Sequence, residues 1–225
     1  MTEVYYLDGR YFELALKGYP GRIHTPYNVY INFLPSGDTT VSTDLVSNSK
    51  AFRSSSKSNL YIIRLIINIV TEGTVSSKHS NLLLINELTN KILRYEPILN
   101  NYDDLINQAV MEDLKKLERF KGYIYEEVEY HPQPSSVHLG LCIAYIIKFA
   151  SDLITHMPTL AFNDAGMLAY AESIVKEYGE LPVEGADVEF GGFGAGLLGG
   201  VLLGGLVAAP LIASASQPRT TVIYQ

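Results

Sequence analysis

Apolar and polar positions alternate with a period of two near the start of the chain, and the period changes further on. Tyr27, Val29, Ile31 and Phe33 fall on one side, and Asn28, Tyr30, Asn32 and Leu34 on the other. Such alternation predicts a half-buried strand. Pro35-Ser36-Gly37-Asp38 predicts a turn, and Thr39–Leu45, rich in Thr and Val, predicts the returning strand. Upstream, Glu3–Leu7 and Arg10–Leu16 flank Asp8-Gly9, a dipeptide suited to the positive φ angles of a tight hairpin. Two sequential hairpins predict a small antiparallel sheet of about four strands, solvated on one side or meeting a partner there. The serine-rich, basic stretch from Ser47 to Ser58 then reads as a linker.

Beyond Asn59 the pattern turns predominantly helical. Leu60–Val70, LYIIRLIINIV, fits a buried helix or a core strand, and periodicity alone does not separate the two. Asn81–Tyr95 predicts a helix that stops before Pro97, because a residue preceding proline avoids the helical region. Tyr102–Val128 predicts a long amphipathic helix with Asn101 as its cap and Asp103 and Asp104 at its positive end. Its apolar stripe runs through Ile106, Val110, Leu114, Leu117, Phe120, Ile124 and Val128, with Gly122 as a break or bend. His131-Pro132-Gln133-Pro134 is a stop. An apolar helix over Val137–His156 follows, capped by Ser135 or Ser136. A last amphipathic helix begins at Asn163 or Asp164 and reaches Tyr178, with Gly179 as its terminating glycine.

The apolar run Phe190–Ala213 dominates the C-terminal part. It carries no charge and is long enough, as a helix, to cross a hydrocarbon layer that needs about 20 residues. Gly192, Gly196, Gly200 and Gly204 recur every four residues, and Ala208 continues the row. On a helix these positions form one smooth face, which lets another backbone approach closely. The expected fold class is therefore α+β: a small N-terminal antiparallel sheet of two hairpins, a mainly helical part, and a C-terminal glycine-rich apolar helix. The expected divisions are 1–46, 47–58, 59–180 and 181–225.

Composition narrows the functional classes. A net charge of −7 argues against a nucleic-acid partner held by phosphate neutralisation. The start, MTEVYYLDGR, lacks the basic and apolar regions of a secretory signal. Acidic Glu184, Asp187 and Glu189 precede the apolar run and Arg219 follows it. The resulting topology conflicts with the absence of an export signal, and membership of a virion or other self-assembled particle would remove the conflict.

Catalytic signals are weak by spacing. Gly194-Ala195-Gly196-Leu197-Leu198-Gly199 matches GxGxxG by letter, but the four-residue period explains those glycines better than a dinucleotide fingerprint. Glu126, Glu127, Glu129, His131 and His138 cluster in sequence without metal-ligand spacing, and read as an acidic helix end beside an exposed turn. His24, His79 and His156 stand alone. Cys142, the single cysteine, lies inside an apolar run near no obvious base and reads as a poor nucleophile.

The sequence alone thus leads to a non-enzymatic structural or assembly protein, associated with a membrane or a dry interface. It self-associates as a homo-oligomer through Gly192, Gly196, Gly200, Gly204 and Ala208, with a lipid membrane as second partner. The alternative is a membrane-active pore-forming, lysis or penetration protein. No catalytic residue, metal ligand or cofactor is assigned.

Overall fold

The computed structural model describes residues 7–47, 52, 59–98, 101–128, 131, 141–155 and 164–179. Their architecture is set by the longest pair of strands. The ambiguous LYIIRLIINIV run lies within a strand, β4 (Leu60–Thr71), which returns as β5 (Thr74–Asn86). Glu72 and Gly73 join them with φ of 52° and 76°, the two positive angles that a tight two-residue hairpin requires. Pairing is antiparallel from Leu60 opposite Asn86 to Thr71 opposite Thr74.

The sheet grows outward from this hairpin in both directions. On one side, β2 (Tyr27–Phe33) runs parallel to β4, and β3 (Thr39–Thr43) pairs antiparallel with β2. The short β1 (Arg22–Ile23) pairs parallel with the start of β4. On the other side, β6 (Lys91–Tyr95) is antiparallel to β5, and β7 (Ile124–Val128) is parallel to β6. The result is one seven-stranded mixed sheet in the order β3-β2-β4-β5-β6-β7, with β1 beside β4.

Helices cover both faces. Leu82 and Leu84 of β5 belong to a core with α1 (Gly9–Leu16), α3 (Leu141–Ile154) and α4 (Asp164–Tyr178). The intervening Leu83 and Ile85 belong to a second core with Ile106, Val110 and Leu114 of α2 (Asp103–Lys116). This alternation explains why β4 and β5 read as continuous apolar runs, since a strand covered on both faces has no solvated side.

The expected fold class is corrected. The sheet is neither small, nor N-terminal, nor purely antiparallel, and residues assigned to a helical part supply its four central and distal strands, β4 to β7. Asn81–Tyr95 is the end of β5, a turn through Asn90 (φ 53°), and β6. Tyr102–Val128 is not one helix. It comprises α2, a 3-10 turn over Glu118–Phe120, and β7, with Gly122 at φ 88° where the chain reverses into β7. Asp8 is a helix cap, not a hairpin residue: its side chain accepts the Arg10 N–H at 2.9 Å and opens α1. The β2–β3 hairpin and the Gly179 terminus of α4 (φ 78°) are as expected.

The membrane expectation is corrected as well. Among the described residues no helix is long and apolar enough to cross a membrane. The most apolar described helix, α3, has 14 residues and spans roughly 21 Å, short of a hydrocarbon core of about 30 Å. Most of its apolar residues are buried against the sheet, α1 and α4, and Leu153 is exposed. The row Gly192, Gly196, Gly200, Gly204 and Ala208 lies outside the described residues.

The capping role of Asp8 separates the two readings of Asp8-Gly9. Asp8→Ala is expected to destabilise the protein by about 1 kcal/mol, the usual loss for a helix N-cap. Urea unfolding checks this, and circular dichroism of the variant should lose helical signal.

Candidate active site

Three residues far apart in sequence meet at the edge of the first core: His79 on β5, Glu96 just after β6, and Cys142 in the first turn of α3. All three are buried, with relative exposures of 1%, 0% and 0%. The β5–β6 ladder brings the first two together. Leu82 pairs with Tyr95, so Glu96 follows at the level of Asn81, two residues from His79. The apolar face of α3 packs on Leu82, Leu84 and Tyr95 and thereby carries Cys142 to the imidazole.

His79 is in contact with both a carboxylate and a thiol. His79 Nε2 lies 2.5 Å from Glu96 Oε1. The same ring interacts with the Cys142 side chain by a hydrogen bond and by charge. Burial opposes a charge on His79, but Glu96 and Cys142 outweigh it and raise its pKa well above the ordinary value. Burial likewise disfavours the charged Glu96. His79, Arg94 and the Ile98 N–H prevail and hold its carboxyl below the usual carboxylate value. At neutral pH the pair is therefore an imidazolium beside a carboxylate.

Both Glu96 oxygens are occupied. Oε1 also accepts the Ile98 N–H at 3.0 Å, and Oε2 accepts Asn81 Nδ2 at 2.6 Å. His131 Nδ1 donates to the Glu96 carbonyl at 2.7 Å. Behind Asn81 sits Arg94, also fully buried, whose Nη2 meets Asp103 Oδ1 at 2.5 Å and whose Nη1 meets Glu127 Oε1 at 3.3 Å. A buried charge with one partner removed costs about 3–5 kcal/mol, so this set of groups is held as a unit.

The residues singled out by sequence are dispersed by the fold. Glu126 pairs with Lys91 at 2.8 Å on the sheet edge, Glu127 joins Arg94, and His131 braces the Glu96 backbone. Glu129 and His138 lie outside the described residues. Among the described residues no group of His, Cys, Asp or Glu has metal-ligand geometry. Asp103, expected only to favour a helix N-terminus, is an ion-pair partner of Arg94. Cys142 and His79, set aside as a poor nucleophile and a lone histidine, face each other. The one available signal was compositional: a single cysteine together with a distant histidine and acid can form a nucleophile site.

No protein-family model and no curated protein sequence matches the chain. Solved structures with a similar course of the chain include three bacterial and yeast proteins. One is the C-terminal protease domain of Ulp1 in complex with Smt3, the yeast orthologue of SUMO. It has a TM-score of 0.45 and 13% identity, covering 77% of this chain and 76% of that one. Another is the Chlamydia abortus effector protein ChlaDUB, with a TM-score of 0.42 and 14% identity over 61% of this chain. The third is the Legionella pneumophila effector protein RavZ, with a TM-score of 0.41 and 15% identity over 69% of this chain. The chain spans less than two thirds of the latter two, 65% of ChlaDUB and 52% of RavZ. At these scores the matches describe those proteins, and the reading of this chain rests on its own geometry.

The expectation of a non-enzymatic structural or assembly protein, and its alternative of a pore-forming, lysis or penetration protein, are corrected accordingly. The described part buries a cysteine, a histidine and a glutamate together in a mixed sheet, with the histidine in contact with both of the others. Self-association and lipid contact rested on the apolar run Phe190–Ala213 with its glycine row and find no support in the described residues.

The shifted pKa values set a window for stability. The raised His79 value contributes stability that is complete below its ordinary 6.5 and is lost as the pH climbs through the folded value. The lowered Glu96 value contributes stability that is complete above its ordinary 4.5 and is lost as the pH falls through the folded value. The stability difference between wild type and Glu96→Gln should therefore peak between these limits and shrink on both sides. Histidine NMR should show His79 protonated at neutral pH in the wild type and deprotonating at lower pH in Glu96→Gln.

Proposed function

We propose that the chain is a cysteine-nucleophile enzyme of acyl transfer, a hydrolase acting on an amide or ester carbonyl. The observation that supports this is the contact of the His79 ring with both the Glu96 carboxylate and the Cys142 thiol. A nucleophile, a base and a group that orients the base make up this chemistry on many unrelated folds.

Each residue has one task. His79 holds, as an imidazolium, the proton given up by the Cys142 thiol, and Glu96 stabilises that imidazolium and fixes the ring. The sulfur attacks the carbonyl carbon, a C–S bond forms, and the carbonyl electron pair moves to oxygen. Cys142 lies in the first turn of α3, where backbone N–H groups form the positive end of the helix and favour that oxyanion. His79 then gives its proton to the leaving nitrogen or oxygen as the acyl bond breaks. Water attacks the thioester, its proton passes to His79, and the acid leaves as the C–S bond breaks and its electron pair returns to sulfur.

A small activated ester suits a buried thiol as a probe. With p-nitrophenyl acetate the wild type should release nitrophenol in a burst and carry an acetyl group on Cys142, located by mass spectrometry. Cys142→Ser should lose the burst, and His79→Ala should slow it by about 10²–10⁴-fold, the usual share of a general base. Acetylation confined to other residues, or a burst unchanged in His79→Ala, would defeat the proposal.

A further inference from the structure

The acid that orients His79 is itself oriented by groups that touch neither the thiol nor the imidazole. Glu96 Oε2 accepts from Asn81 Nδ2 at 2.6 Å. Asn81 is fully buried, and an amide in that position could point either its nitrogen or its oxygen at the carboxylate. Its oxygen is already committed: Asn81 Oδ1 accepts Arg94 Nε at 3.0 Å and Arg94 Nη2 at 2.7 Å. A guanidinium has no acceptor atom, so the amide nitrogen must turn toward Glu96.

Arg94 is locked in turn. Nη2 also meets Asp103 of α2, and Nη1 donates to Asn107 of α2 at 2.7 Å and meets Glu127 of β7. Asn107 also donates to Glu127 Oε2 and accepts the Tyr125 hydroxyl at 2.9 Å. The side chain thus ties α2 and β7 to the edge of β5. Planar, forked donors make this possible, and a lysine ammonium at the end of a flexible stem has no equivalent reach.

We infer that Arg94 and Asn81 are positioning residues for the proposed nucleophile site: Arg94 sets the rotamer of the Asn81 amide, and Asn81 holds Glu96 so that Oε1 stays on His79. The inference rests on the proposed function, because it assigns a purpose to the orientation of Glu96. It differs from a purely structural role in one respect. Loss of either residue should loosen the His79–Glu96 alignment and thereby change how Cys142 reacts, even where the fold is kept. Among the described residues, the groups facing the site are His79 and Asn81 on β5, Arg94 and Glu96 on or beside β6, Asp103 and Asn107 on α2, Tyr125 and Glu127 on β7, His131 and Cys142.

The test uses the full chain and iodoacetamide, since Cys142 is the single cysteine and its alkylated peptide is followed by mass spectrometry. The alkylation rate is measured against pH for wild type, Glu96→Gln, Arg94→Lys and Asn81→Ser, with circular dichroism and melting temperature in parallel. Glu96→Gln should slow alkylation and displace the pH midpoint. Arg94→Lys and Asn81→Ser should move the profile in the same direction and slow it by about tenfold, a usual loss when an outer partner of a site is removed. Folded Arg94→Lys and Asn81→Ser proteins that melt earlier yet overlay the wild-type profile would overturn this inference and leave the proposed function standing. A Glu96→Gln profile identical to wild type would instead overturn the proposed function. Asn81→Ser removes no charge from the interior, so it decides the matter alone should Arg94→Lys not fold.

Discussion

A carboxylate sealed from water is tolerated only when its charge is met on every side, and Glu96 satisfies that condition. One oxygen takes His79 and the Ile98 N–H, the other takes Asn81, and Arg94 supplies a buried positive charge behind it. An unpaired buried carboxylate would shift its pKa and neutralise. Here the shift runs the other way, which means that partners outweigh burial. The proton on His79, and hence the chemistry proposed for Cys142, follows from that balance.

The fold can be understood as the frame for this contact. The β4–β5 hairpin is long enough to carry two apolar cores, one on each face. The first core seats α3 so that its N-terminal turn, with Cys142, arrives at the β5 edge. The second seats α2, whose Asp103 and Asn107 reach Arg94. Helix, strand and polar network therefore converge on the same few residues, and loosening either core would disturb the site.

Parts of this were legible in the sequence and parts were not, for physical reasons. The β2–β3 hairpin showed because one face is less buried than the other and its turn has strong local chemistry. The α4 terminus showed because Gly179 adopts a conformation that favours glycine. Asp8-Gly9 misled because an aspartate that caps a helix and one that opens a turn offer the same side-chain acceptor to nearby N–H groups. Asn81–Tyr95 misled because a strand buried on both faces loses its alternation and can mimic a helical spacing. The site was invisible to local patterns: His79, Glu96 and Cys142 gain meaning only through β5–β6 pairing and α3 packing, which no spacing rule encodes.

The account stands or falls on whether the Cys142 sulfur faces the His79 ring. Nitrogen-15 NMR of the histidine side chains, titrated before and after Cys142 is capped with methyl methanethiosulfonate, tests this directly. A capped sulfur can neither donate to the ring nor carry charge beside it, so the His79 titration should move to lower pH while the other histidines stay in place. A His79 titration indifferent to the cap would contradict the contact, and the chemistry built on it would go with it.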